Sequence, residues 1–217
     1  LWGHQLATPE RNHRLPGYAQ MNQPTLTCLM GMQLAQKIGI KDPALPKAIE
    51  KTYAFYESFV GRGTLAYGVH GPNTRSYNNN GMSATAAFAM GFQGNKKGAA
   101  FFSALCAASH GEIESGHATH WFNTMWTTLG VGLAGPETVT RFFKEIRWLY
   151  TMYRSWNGEM TFEGKAKHKF HAGAGLLVSL AMARRNLVIT GRDADKSLWL
   201  DAKSAQKAVD LSKIDYK

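Results

Sequence analysis

The segment Gly111-Glu112-Ile113-Glu114-Ser115-Gly116-His117-Ala118-Thr119-His120-Trp121 gathers two carboxylates, two imidazoles and two glycines into a short stretch. Glycine lets the backbone approach a ligand closely, and acid–imidazole clusters serve proton transfer or metal binding. One reading makes His117 and His120 a general acid/base or a metal-ligand pair, with Glu114 orienting one imidazole. The other has His117 bonding backbone in a tight glycine turn and His120 capping a helix start behind Thr119. Glu112 and Glu114 alternate along an extended corner, so one of them faces away from any shared site. The metal version lacks a His-Glu-x-x-His pair and needs ligands from elsewhere in the chain. No cofactor is expected, apart from such a metal at the histidine corner. No P-loop, GxGxxG or GxSxG is present, and neither cysteine has the setting of a catalytic nucleophile.

Two further stretches carry the same kinds of residue. Tyr67, His70, Arg75 and the run Asn78-Asn79-Asn80 lie in one; Glu159, Glu163, Lys165, His168 and His171 lie in the other. Gly63-Thr64-Leu65-Ala66-Tyr67 and Gly158-Glu159-Met160-Thr161-Phe162 share a Gly–x–apolar–x–aromatic frame, and Gly111 to Ser115 falls on it with Ser in the aromatic place. The three recur at a stride of about 47 residues, the signature of a helical-hairpin repeat.

The segments between these corners carry helical periodicity. Leu26, Leu29, Leu34 and Ile38 mark one face, followed by Gly39 and Pro43; Ile49, Tyr53, Tyr56 and Phe59 mark the next. Met82 to Phe92 pairs with Ala99 to Ser109. Trp121 to Leu129 pairs with a long helix opened by Pro136, and Ala172 to Met182 begins one more. The fold class is therefore all-α, with an irregular arm over 1–22, hairpin repeats over 23–190 and a C-terminal helix or linker over 191–217. The first helix of each pair is short and almost uncharged, whereas the second carries groups such as Lys144, Glu145 and Arg147. That asymmetry suits the inner and outer rings of a partial α/α toroid better than a HEAT-like solenoid. In a toroid the three corners converge on one mouth. There His117, His120, Glu114 and Tyr67 would be catalytic, and Asn79, Arg75, Trp121, Lys165 and His168 would bind substrate. Trp126 lies at helical spacing and is assigned to the core.

The totals narrow the partners. The 217 residues are 44% apolar and 18% charged, enough for an ordered core, and 25 Lys+Arg against 15 Asp+Glu give +10. That balance favours anionic partners, but the basic residues are scattered and no nucleic-acid motif accompanies them. No apolar run is long enough to span a bilayer. Cys28 and Cys106 both sit in apolar helical patterns, where free cysteine acts as a small hydrophobe. The chain starts at Leu1 and reads as a piece of a longer precursor, whose remainder, or a second chain, would complete the ring.

Glu114-Ser115-Gly116-His117, then Phe122, Trp126, Leu129-Gly130 and Gly135-Pro136, resemble an uncharacterised bacterial family of planctomycete type. Ile189-Thr190-Gly191-Arg192-Asp193-Ala194-Asp195 matches it as well, so the resemblance runs from about Asn78 to Leu200. It implies a domain of unknown function in large secreted, periplasmic or envelope proteins. At superfamily level the chain is similar to toroids of the terpenoid-cyclase and prenyltransferase type. It departs from them in lacking an Asp-rich acid motif, an Asp/Cys/His zinc set and a Cys–Gln thioester. The expected function is binding or lyase-like cleavage of an acidic polysaccharide, the enzyme being a polysaccharide lyase or hydrolase. A non-catalytic envelope scaffold and an isoprenoid-binding toroid are the alternatives.

Overall fold

The computed structural model describes residues 8–11, 20–65, 68, 71–72, 81–113, 123–160, 173–182, 201, 203–204 and 207. Seven α-helices occur among them: α1 (Asn22–Lys37), α2 (Leu45–Glu57), α3 (Met82–Phe92), α4 (Lys96–Ala108), α5 (Thr128–Val131), α6 (Pro136–Met152) and α7 (Gly173–Ala181). No strand is found among the described residues, only the isolated bridges Met21–Gly68 and Arg154–Met160. The chain is all-α, as the periodicity predicts.

Helix boundaries follow local chemistry. Pro46 and Pro136 occupy first-turn positions of α2 and α6, where a missing N–H costs nothing. The Asn95 side chain accepts from the Gly98 N–H at 2.7 Å and caps α4. Gly81 opens α3 in the left-handed region, at φ 73°, a conformation that glycine reaches without strain.

Contacts between side chains fix the helix directions. Gln33 Nε2 donates to the Ala89 carbonyl at 2.9 Å, and the Lys37 ammonium lies 5.9 Å from the Phe92 ring centre. The later halves of α1 and α3 therefore lie together, and the two run the same way. After a short connection α4 returns antiparallel to α3. Asn123 Nδ2 donates to the Glu112 carbonyl at 3.4 Å and Ser103 Oγ to the Gly130 carbonyl at 2.7 Å. The segment containing α5 thus runs against α4 and along α3. Tyr150, late in α6, meets Thr128, early in α5, at 2.6 Å between hydroxyls. In α7, Ser179 bonds to Tyr150, and Met182 just beyond the helix sits beside Gly132, so α7 follows the direction of α5.

The first helices of the pairs thus form a row, α1–α3–α5–α7. Its middle is the most buried part of the protein: Met82, Ser83, Ala84, Ala86, Ala87, Ala89 and Met90 of α3 are all buried. The second helices bury one stripe each. In α6 that stripe is Val139, Phe142, Phe143, Ile146, Leu149 and Tyr150, while Lys144 and Glu145 stay outside. Two apolar clusters result, one on α1–α4 and one on α4–α7, and the Trp126 ring packs against both. Trp126 meets Phe88 edge-on at 6.3 Å, as expected of a core residue.

Three features depart from the sequence expectation. Trp121–Leu129 does not begin as a plain α-helix: Asn123–Thr127 is a π-helical turn leading into α5. The hydrophobic spacing carries no mark of the extra residue per turn. Cys28 is exposed, whereas Cys106 is buried. The sequence places Cys28 on an apolar helix, but that helix ends the row and nothing described covers its far side. Finally, α2 lies across its neighbours. Tyr56 Oη donates to the Asn22 carbonyl at 3.1 Å, while Asn95 Nδ2 donates to Tyr53 Oη at 2.8 Å and Glu57 Oε1 at 2.9 Å. One turn of α2 spans both because α3, at 11 residues, is only about 16 Å long.

Candidate functional site

The predicted site residues His117, His120, Glu114, Tyr67, Asn79, Arg75, Trp121, Lys165 and His168 all lie outside the described residues. His70 and His171 do as well. What the structure describes is the frame on which these corners are mounted.

Each corner is bordered by residues from the same end of the row. The first is tied to the start of α1 by the Met21–Gly68 bridge and by Asn22 Nδ2 donating to the Gly68 carbonyl at 2.8 Å. It ends at Gly81, the head of α3, which runs parallel to α1. The second leaves from Ile113, after α4 and a 3-10 turn over His110–Glu112, and re-enters at Asn123, whose amide reaches back to Glu112. The third leaves from the turn at Arg154–Met160 after α6 and re-enters at the head of α7. The alternating helix directions thus bring all six borders to one end of the molecule.

That end is lined with uncharged polar groups that the motifs and spacings do not single out. Asn22 and Thr25 of α1, Ser83 and Thr85 of α3, and Asn123, Thr124 and Thr127 of the π turn are all buried. Most are accounted for locally: Thr25 Oγ1 donates to the Met21 carbonyl at 2.6 Å, and Thr85 Oγ1 to the Met82 carbonyl at 2.9 Å. Thr124 differs, for its Oγ1 is buried with no hydrogen-bond partner. A buried hydroxyl left unpaired costs about 1–3 kcal/mol. It sits on a π turn, a geometry that recurs at functional sites, directly after the corner bearing His117, His120 and Trp121. The signal was available in Asn123-Thr124, Thr127 and Thr128, four polar residues in an otherwise apolar segment.

Glu112 and His110 are the described titratable groups at the second corner, and both are exposed. The His110 ring Nδ1 lies 3.2 Å from the Ala107 carbonyl at the end of α4. Among the described residues no group of three His, Cys, Asp or Glu is placed to hold a metal. The described side chains also leave a surface recess of about 430 Å³ between α4 and α6. Ala104, Ala107 and Ala108 line it, with His110, Arg141 and Glu145. Its apolar lining is alanine, so it offers little shape for a ligand. None of the described helices is long and apolar enough to cross a membrane.

The described helices define the class: an all-α protein of repeat-like helical pairs whose corner segments border one end. The chain belongs to the family described as Domain of unknown function (DUF6288), whose model matches residues 1–191. Comparison with curated proteins and with solved structures found no match.

Proposed function

We propose that the protein is an extracytoplasmic α/α-toroid domain that binds an acidic polysaccharide at the end where its corners enter, and cleaves it by elimination. The observation that carries this reading is the π turn Asn123–Thr127, with the unpaired buried hydroxyl of Thr124, next to the His117–His120 corner. The common end of the corner borders and the +10 charge support it. The toroid geometry accounts for the near-absence of charge along α3 and α5, which neighbours would enclose on both sides.

In the elimination, His117 or His120 takes the proton from C5 of a uronate residue. The C4–O bond breaks, the electron pair of the C–H bond becomes the C4–C5 double bond, and Tyr67 protonates the departing oxygen. Arg75 or Lys165 neutralises the uronate carboxylate, which lowers the cost of removing the C5 proton. Asn79 and His168 hydrogen-bond hydroxyls, and Trp121 stacks on a sugar ring. Glu114 orients one imidazole.

The test is direct. The protein is incubated with polyuronates, and unsaturated product is followed by its ultraviolet absorbance, with binding followed separately by affinity electrophoresis. The double variant His117→Ala/His120→Ala should lose cleavage by at least about a hundredfold while retaining binding. Absence of both binding and cleavage in the unmodified protein would overturn the proposal.

A further inference from the structure

The two ends of the α1–α3–α5–α7 row are left open, and they have the composition of its buried middle. On α1 the far face presents Thr27, Cys28 and Gly31, with Ile38 just past the helix end 69% exposed. On α7 Ala174, Leu177, Val178 and Ala181 are exposed, an i, i+3, i+4, i+7 stripe without one polar group. Leu177 is 63% and Val178 43% exposed. Helix faces of this protein that meet water look different: Lys47, Glu50 and Lys51 on α2, Lys96 and Lys97 on α4, and Arg141, Lys144 and Glu145 on α6. The α1 and α7 faces resemble α3 instead, which has no ionisable group and is enclosed by its neighbours.

We infer that a second copy of this chain covers both faces, α1 of each copy packing along α7 of the other about a twofold axis parallel to the row. Three observations select this occupant. The faces match in relief: α1 is flat at Gly31, with open space where a Cβ would stand, and α7 offers two bulky side chains to lie on it. They match in electrostatics, since neither face carries a charge that burial would strip of water. They match in direction, because helices adjacent in the row run parallel, and a twofold axis along them preserves that sense across the new junctions. Pairing at both ends also closes the assembly, whereas a single α1–α7 contact would leave one face of each kind open and grow without limit. This inference stands whether or not the corners bind a glycan.

The experiment uses the full chain. Sedimentation equilibrium should give twice the chain's mass. In Leu177→Cys, mild oxidation should then link Cys28 of one copy to the new thiol of the other, giving a covalent dimer on a non-reducing gel. Cys106 is buried, and burial pushes its thiol far above the ordinary value, so it does not compete. Gly31→Leu supplies the break: the site is helical and open, so the fold is kept, yet the flat face is filled and the mass should halve. Leu177→Lys should halve it too, with helical circular dichroism unchanged. A single-chain mass for the unmodified protein at tens of micromolar, with no covalent dimer from Leu177→Cys, would overturn the inference. A single-chain mass with Cys28 protected from thiol reagents would overturn it equally, giving the α1 face to another segment of the same chain.

Discussion

Tyr56 and Tyr150 each carry a hydroxyl into the core and spend it on a joint between helices. Tyr56 links α2 to the first residue of α1; Tyr150 links α6 to Thr128 of α5 and to Ser179 of α7. Burial pushes both phenols above their ordinary range, outweighing the hydrogen bonds that pull the other way. The folded state therefore holds these protons more tightly than the unfolded chain. By linkage that stabilisation is complete below the unfolded value of about 10 and is lost as pH climbs beyond it. Tyr150→Phe separates the two contributions. At neutral pH it should cost about 1 kcal/mol, the worth of the lost hydrogen bonds, since Thr128 keeps its 2.9 Å bond to the Thr124 carbonyl. Between about pH 9 and pH 11, on either side of the tyrosine value, urea unfolding should show a shallower loss of stability in the variant than in the parent. Equal slopes would mean that Tyr150 does not stay protonated in the fold.

At the scale of elements, α1–α4, α6 and α7 were legible because each repeats its apolar residues at helical spacing and stops at a glycine. The tilt of α2 was not, because it depends on the shortness of α3 and on which tyrosine reaches which partner. The π turn was hidden for a related reason: Trp121, Met125, Trp126 and Leu129 fit an α-helical face well enough. The exposure of Cys28 depends on how many helices flank α1, which periodicity within one helix does not report. Beyond the π turn, two neighbouring glycines differ sharply in the space around them. A methyl at Gly130 would meet Ala84 Cα at 2.8 Å, Ala84 Cβ at 2.6 Å and Cys106 Sγ at 2.8 Å. Backbone on one side and a buried thiol on the other leave no room to yield. A methyl at Gly132 meets mainly the thioether end of Met182, at 2.7 Å from sulfur, and methionine adapts. Gly130→Ala should therefore cost about 1–3 kcal/mol of overpacking, offset only in part by better helix propensity. Gly132→Ala should be milder by at least about 1 kcal/mol. Chemical denaturation of the two variants side by side checks this, and equal losses would show that α5 shifts freely against α3.

For the molecule as a whole, the partition of charge was legible: uncharged first helices became the buried row, and charged second helices met water. The candidate site was legible only as a set of residue types at a common stride. Its frame depends on long-range bonds such as Asn22–Gly68 and Asn123–Glu112, which no local pattern encodes. The surface beside that frame holds a feature that no motif or periodicity marks. Trp156 is 99% exposed on the turn that leads from α6 into the third corner, and Met152 and Trp148 continue the apolar strip up the helix. The turn stands without it. Ser155 N–H donates to the Glu159 carbonyl at 2.8 Å, Gly158 N–H to the Ser155 carbonyl at 2.9 Å, and Glu159 N–H to Asn157 Oδ1 at 3.1 Å. An indole that buries nothing contributes nothing to folding, so Trp156→Ala should leave unfolding stability within about 0.5 kcal/mol of the parent. The same ring stands at the corner end of the molecule, with a flat apolar face and a polar edge suited to sugar. If an acidic glycan lies across that end, its chain extends past the Arg154–Met160 turn, and the substitution should weaken polyuronate binding about tenfold, or about 1.4 kcal/mol. Affinity electrophoresis of Trp156→Ala beside a melting curve reads both quantities. Unchanged affinity with unchanged stability would confine any bound chain to the inner side of the corners.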